Sequence, residues 1–281
     1  MPSDLTADLH PMTAATGDLE AALGLSRAAG WSFRLEDWRV AQRLGEGVLA
    51  HQDGQVIGSA LCWLYGEGFA TLGSIIVAPA MQGRGLGRSL LARVLEITGP
   101  RAVLLHATAE GLRLYQGFGF NAVGTVAQHM GKPMLAPAAA SQVRMARAED
   151  LPLLAAMDQR AFGAGRRRMI EEFLGIGSAA VTERRGVLRA FAICRPFGTG
   201  RVIGPVVAAD PGEAKALIIH FLQAHAGEIL RVDTSTDSGL GPWLAAQGLP
   251  EVGRVTTMLR GQRPEREGPE RVFALASQSF G

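Results

Sequence analysis

The stretch Val77-Ala78-Pro79-Ala80-Met81-Gln82-Gly83-Arg84-Gly85-Leu86-Gly87-Arg88-Ser89-Leu90-Leu91 constrains this chain more than any other. It reads as the end of a β-rich run, Phe69 to Val77, then a proline-marked exit, a loop with alternating glycines, and a helix to about Ile97. Glycines let successive backbone N–H groups point into one concavity without a Cβ clash. The helix start adds unpaired N–H donors and the positive end of its dipole. Together they make a seat for a pyrophosphate; the bland alternative is a flexible turn before a helix. Two phosphate motifs are excluded. A P-loop needs Gly-Lys-Ser/Thr, and no lysine is present here. A dinucleotide fingerprint needs Gly or Ala three residues after Gly87, where Leu90 stands.

The surroundings repeat. Thr16 to Ala29 reads as a helix with Thr16 as N-cap, and Leu35 to Leu44 as a second helix. Gly47 to His51 and Gln55 to Tyr65 flank Asp53-Gly54, a hairpin signal. After the glycine loop come a strand at Ala102 to Ala107, a short helix at Gly111 to Tyr115 and a strand at Asn121 to His129. Gly131 to Ser141, rich in Pro, Ala and Gly, reads as a linker. A similar order then restarts, with strands at 143–146, 179–183, 187–194, 201–207, 229–234 and 252–259 and helices at 149–161, 212–226 and 240–247. Asp18-Leu19 matches Asp150-Leu151 at an offset of 132. Gly119-Phe120 and Val123-Gly124-Thr125-Val126 match Gly248-Leu249 and Val252-Gly253-Arg254-Val255 at 129. A duplication is expected, with domains at 1–130 and 142–281 joined by a linker at 131–141. At roughly 150 residues per domain, 281 residues agree.

Composition narrows the function classes. Lys+Arg number 28 against 26 Asp+Glu, and Lys132 and Lys215 are the only lysines, so no phosphate-binding basic face is expected and nucleic acid is not the partner. The longest run free of Asp, Glu, Lys, Arg and His, Gly68 to Gly83, has 16 residues and contains Pro79, short of the ~20 that a membrane helix needs. The opening MPSDLTADLH has no basic and apolar leader pattern. Cys62 and Cys194 are 132 residues apart, with no Cys/His cluster, which argues against a disulfide framework and against a metal. A soluble, cytoplasmic protein with a hydrophobic core is the expectation.

Gln82-Gly83-Arg84-Gly85-Leu86-Gly87 fits the pattern Gln/Arg-x-x-Gly-x-Gly, and so resembles the acetyl-CoA pyrophosphate loop of the GNAT superfamily of N-acetyltransferases. The element order is similar to the GNAT order. Ala107-Thr108-Ala109-Glu110-Gly111 and Leu114-Tyr115-Gln116-Gly117-Phe118-Gly119-Phe120 resemble a further stretch of many such enzymes. Gly30-Trp31, Asp37-Trp38 and the late Phe273-Ala274-Leu275-Ala276 resemble a bacterial two-domain GNAT family of mostly unassigned substrate. The resemblance implies an α/β (α+β) fold. It would hold tandem GNAT-like domains, each a mixed, mostly antiparallel twisted sheet flanked by helices, the second degenerate.

It also implies roles. Acetyl-CoA would be the co-substrate: Ile75, Ile76 and Val77 would line the pantetheine arm through their main chain, and Gln82, Gly83, Arg84, Gly85, Leu86, Gly87, Arg88 and Ser89 would hold the pyrophosphate. Tyr115 would protonate the leaving thiolate; a packed core aromatic is its alternative. The strand position where some members carry a Glu base holds Thr71, leaving Glu67, His106 and, further away, Glu110 as alternatives, or no dedicated base. Trp31, Phe33 and Trp38 would border the acceptor, with Glu67 and Thr108 as further acceptor contacts; core packing is the alternative for the aromatics. In the second half, at an offset of 129, Gln82 becomes Pro211, Gly85 becomes Ala214 and Tyr115 becomes Leu244, with acidic Asp210 and Glu213 at the helix start. That half is expected not to bind acetyl-CoA but to shape the acceptor site, with Asp233 and Asp237 as possible contacts to an amine. The expected activity is transfer of an acetyl group to a primary amine of a small-molecule acceptor by direct attack. The alternative is a non-catalytic acyl-CoA-binding or regulatory protein. Monomer and homodimer both stay open.

Overall fold

The computed structural model describes residues 7–133 and 143–281; most of the expected linker, from residue 134 on, lies outside the described residues. The first half runs β1 (Asp8–Pro11), α1 (Thr16–Ala28), α2 (Leu35–Leu44), β2 (Glu46–Gln52), β3 (Gln55–Tyr65), β4 (Phe69–Val77), α3 (Leu86–Thr98), β5 (Ala102–Ala107), α4 (Leu112–Gln116) and β6 (Asn121–Gly131). The second runs β7 (Val143–Met145), α5 (Leu151–Phe162), α6 (Arg167–Ile176), β8 (Ser178–Arg184), β9 (Val187–Phe197), β10 (Gly200–Ala208), α7 (Pro211–Ala224), β11 (Leu230–Ser235), α8 (Gly241–Ala246), β12 (Glu251–Arg260) and β13 (Arg271–Ala274). The sequence reading leaves out α6, whose buried Met169, Ile170 and Phe173 form its inward stripe. Thr16 does not cap α1 as expected: it is the first helical residue, and Asp18 instead accepts hydrogen bonds from the Thr13 N–H and hydroxyl.

The duplication is visible in backbone angles. The β2–β3 turn has φ of 50° at Asp53 and 76° at Gly54. The β8–β9 turn repeats this with 54° at Arg185 and 76° at Gly186, an offset of 132. Both fit the two-residue turns that match the twist of a hairpin.

The expected pair of sheets is one sheet of 13 strands, in the order β1-β2-β3-β4-β5-β12-β6-β11-β10-β9-β8-β7, with β13 added against β10. Among the described residues only β4·β5 and β10·β11 are parallel. Two strands are exchanged between the halves. β12 lies beside β5 of the first half, and β6 lies beside β11 of the second. β6 and β12 pair antiparallel with each other, and Val126 faces Val255. Those two valines are equivalents at the repeat offset of 129, so the local two-fold passes between them. The division at 130 and 142 therefore follows the chain, while the hydrogen-bonded sheet crosses it.

Strands such as β3, with Ile57 to Trp63 all buried, are apolar without alternation because both faces of the sheet are covered. One face carries a core shared by the halves, with Trp38, Phe69, Phe162, Phe173, Phe191 and Phe280 under α1, α2, α5 and α6. On the other face each half has its own core, under α3 and α4 or under α7 and α8. Among the described residues no helix is long and apolar enough to cross a membrane.

The shared core contains one fully buried ion pair. Arg166 Nη2 and Nε donate to the Asp158 carboxylate at 2.7 and 2.9 Å, with both side chains at 0% exposure. Arg166 Nη1 also donates to the Phe280 carbonyl, and the guanidinium lies 3.6 Å from the Phe162 ring centre. Asp158→Asn leaves that cation in the core without its Asp158 carboxylate, held only by the Phe280 and Gly281 oxygens, and is expected to remove about 3–5 kcal/mol of stability. Urea denaturation will show this as a lower midpoint at unchanged slope.

Candidate active site

The site begins where β4 leaves β5. The two strands pair only from Phe69 opposite Ala102 to Leu72 opposite Leu105. Beyond that point β4 bulges: Ser59 of β3 faces Ile76 while Leu61 faces Gly73, so Ala60 stands opposite both Ser74 and Ile75. Ser74 takes a left-handed φ of 51°, a conformation that costs a non-glycine residue about 1–3 kcal/mol. Its carbonyl accepts from the Ser59 hydroxyl at 2.9 Å. The Ala78 N–H donates to the Ile57 carbonyl of β3, so alternation turns the Ile75 and Val77 N–H groups to the opposite edge, into the opening between β4 and β5.

The glycine loop closes one end of that opening. Gly83 and Gly85 have φ of 74° and 86°, and Gly85 is the residue from which α3 starts. Any residue with a Cβ would be strained at both. Gly87 differs: a Cβ there would meet only Leu114 and Val77, at 3.5 and 3.7 Å, so nothing within the chain requires the missing side chain. The seat at the start of α3 is thus left clear for a ligand's backbone-like approach, and the residues present fit a pyrophosphate. Gln82 Nε2 ties the loop to β4 by donating to the Val77 carbonyl at 3.3 Å. Arg84, Arg88 and Ser89 are exposed, and the Arg88 guanidinium lies 4.9 Å from the Phe118 ring centre. Tyr115 shares a core cluster with Leu86, Ile75 and Val77, its ring edge-on to Phe120. Burial pushes its phenol up to about 12, which keeps it protonated at neutral pH.

On the other side of the opening is a cavity of about 320 Å³. Gly73, Ser74, His106 and Thr108 of the first half line it, as do Trp31 and Phe33. The second half contributes Phe197, Arg231, Arg254 and the tail residues Ser277 to Phe280. Phe33 is 5.3 Å from Phe197 and 5.6 Å from Trp31, centre to centre. His106 Nδ1–H donates to the Gln278 carbonyl at 2.8 Å, which leaves the Nε2 lone pair free. Burial, opposed by that bond and by Asp233, lowers its pKa from 6.5 to about 4. His106 also borders a second cavity of about 160 Å³ with Thr257, Asp237 and Arg263.

Three expected residues are placed elsewhere. Trp38 is fully buried and donates to the Ser26 hydroxyl, so it is core rather than an acceptor wall. Glu67 is exposed in the β3–β4 turn, at the far end of β4 from the opening. Asp233 is buried and held by Arg231 through contacts of 2.7 to 3.1 Å, which leaves it unavailable to an amine. Thr71 is buried and bonds to the Tyr65 hydroxyl. Conversely, Ser74, Phe197, Gln278 and Phe280 line the cavity without a mark in the sequence. A lone serine and distant tail residues carry no local signal there.

The equivalent opening in the second half is filled. β10 and β11 pair only at Arg201–Val202, and β13 occupies the gap beyond, paired with β10 at Val206 to Ala208. Thr234 Oγ1 donates to the Phe273 carbonyl and the Leu275 N–H to the Asp233 carbonyl. At the start of α7 the Asp210 carboxylate accepts from the Gly212 and Glu213 N–H groups, which uses the donors a pyrophosphate would need.

These features agree with the comparisons. An acetyltransferase (GNAT) domain family matches residues 44–122, and a second family of the same description matches residues 154–274. The chain belongs to the GNAT superfamily and carries two of its domains in tandem. It is 26% identical over 236 residues to the N-acetyltransferase YitH of Bacillus subtilis (strain 168), itself uncharacterized, covering 81% of this chain and 82% of that one. A crystal structure from Pyrococcus horikoshii, of a protein classed with the acetyltransferases, shares the fold at a TM-score of 0.83 and 19% identity. That match covers 99% of this chain and 96% of the other. A tandem GNAT protein from the clavulanic acid biosynthesis pathway matches at 0.68 and 15%, covering 90% and 98%.

The His106 shift fixes a sign. Between about pH 4 and 6.5 the unfolded chain binds the proton that the folded chain refuses, so stability rises with pH there. The contribution is complete above about pH 6.5 and is lost as pH falls toward 4. Denaturation midpoints across this window are expected to fall more steeply for the wild type than for His106→Gln.

Proposed function

We propose that the first half binds acetyl-CoA and transfers its acetyl group to the primary amine of a small-molecule acceptor by direct attack, while the second half supplies acceptor-side walls. The observation that carries this reading is the open β4–β5 slot, whose free Ile75 and Val77 N–H groups lead to the left-handed glycines and the start of α3. Bound there, acetyl-CoA supplies an activated acetyl thioester. Backbone N–H groups of β4 pair with the amides of the pantetheine arm as an added strand would, and those of Gly83 to Arg88 receive the pyrophosphate. Arg84 and Arg88, both exposed, would add charge there.

The two candidate proton-handling groups lie on opposite sides of the slot. Tyr115, protonated and packed beside Ile75 and Val77, is suited to donate to the leaving sulfur. His106 presents a neutral Nε2 on the acceptor side but is a weak base, so the acceptor amine enters neutral and loses its proton only once the new C–N bond forms. The buried Thr71 at the position of a possible base favours a second reading, a non-catalytic acyl-CoA-binding protein.

Calorimetry should give one acetyl-CoA site per chain, because the second slot is filled by β13. The double variant Gly85→Glu, Gly87→Glu should not bind. Two sites, or binding by the variant, would overturn the assignment. Tyr115→Phe should retain acetyl-CoA affinity and lose on the order of 10²-fold in turnover; unchanged turnover rules out the phenol as acid, and absence of turnover in the wild type favours the non-catalytic reading.

A further inference from the structure

The acceptor-side cavity is unusual in what it lacks. Every formally charged side chain that lines it is already paired. Asp37 accepts from Arg34 Nη2, Nε and N–H and from the Gly198 N–H. Arg231 is held by Asp233, and Arg254 donates to Glu251 at 2.8 Å. A ligand with a second ammonium would find no free carboxylate and would enter at an uncompensated desolvation cost, while one with a carboxylate would have to share Arg231 with Asp233 or Arg254 with Glu251.

What the cavity offers is aromatic surface and one orphaned donor–acceptor. Trp31, Phe33, Phe197 and Phe280 line it. The Ser74 hydroxyl is buried without a hydrogen-bond partner, on a residue only 4% exposed. Ser74 also holds a left-handed backbone that glycine would adopt without strain, so its side chain is the costly part of the bulge. It stands where β4 parts from β5, one residue past the point alongside His106 if the Leu72–Leu105 register is extended.

We propose, resting on the acetyl-transfer reading above, that the acceptor is a primary arylalkylamine, its ring against Phe33 and Phe197 and its nitrogen hydrogen-bonded to the Ser74 hydroxyl. Turned from its occluded position toward the cavity, Ser74 Oγ accepts one amine N–H and so directs the nitrogen lone pair toward the thioester held along Ile75 to Val77. The ring stacks edge-on or offset with the phenylalanines, which need no counter-charge.

The test measures thiol release from acetyl-CoA with tryptamine, 2-phenylethylamine, spermidine or glycine, with acetyl-CoA affinity followed separately by calorimetry. Tryptamine or phenylethylamine should accelerate release over the amine-free rate. Ser74→Gly, which the backbone angle tolerates, should raise the KM for that amine about tenfold, the loss of one hydrogen bond, with the acetyl-CoA Kd within about twofold. Stimulation by spermidine or glycine instead overturns the acceptor class, as does a protein that binds acetyl-CoA and answers none of the four. An unchanged KM in Ser74→Gly, or a joint loss of acetyl-CoA binding, overturns the Ser74 role. A wild type that does not bind acetyl-CoA removes the underlying reading as well.

Discussion

The antiparallel pair β6–β12 is the contact on which the rest of this molecule depends. Each strand is the last long strand of its own half and is hydrogen-bonded on its other edge to the fifth strand of the opposite half. Backbone groups on both edges are thereby satisfied, and two sheets become one without an exposed seam. The exchange also builds one wall of the larger cavity. Gln128 on β6 and Gly253, Arg254 and Val255 on β12 lie in the wall of the larger cavity beside residues of β4 and β5. Two separately folded domains would leave that side of β5 open.

The two halves share a plan and solve the same problem in opposite ways. Parallel strands that part expose a row of N–H and C=O groups, and each such row needs a partner. In the second half the partner is internal: β13 enters the gap, and Asp210 takes the helix-start donors. In the first half no strand of the described residues enters, the glycines keep the helix start clear, and the row faces the opening. The tail that leaves β13 then crosses to the first half. There the Gln278 carbonyl fixes the His106 ring, Ser279 packs on Gly73, and the Phe280 carbonyl accepts from Tyr65 and Arg166. Closing one slot and walling the acceptor side of the other are therefore acts of one segment.

Legibility of the site followed the range of the forces involved. Left-handed glycines and a helix start are local demands, so the loop from Gln82 to Gly87 could be read directly, as could the acidic residues at the start of α7; that Asp210 caps the helix is seen only in the structure. Aromatic residues near α2 are ambiguous by nature: Trp31 and Phe33 face the cavity, while Trp38, one helical turn on, is core. Nothing in the spacing separates them, because a helix face is apolar whether it meets a core or a ligand. Glu67 was plausible by chain proximity to β4, and the direction of the strand removes it. Asp233 was plausible by charge, and Arg231, two residues away on the same strand face, claims it.

By itself the sequence determined the element order apart from α6 and β13, the duplication, the hairpins and the glycine loop, since these rest on contacts within one or two elements. Tertiary structure decided that the halves exchange strands, which of the two slots is open, and which side chains meet at the larger cavity. Those outcomes hinge on groups brought together across as many as 215 residues, as in the Tyr65–Phe280 bond, and on which buried polar atoms find partners. Ser74 is the clearest case. An ordinary letter in a β-rich run becomes a strained backbone and an unpaired hydroxyl only after β4 has bulged and the tail has closed around it.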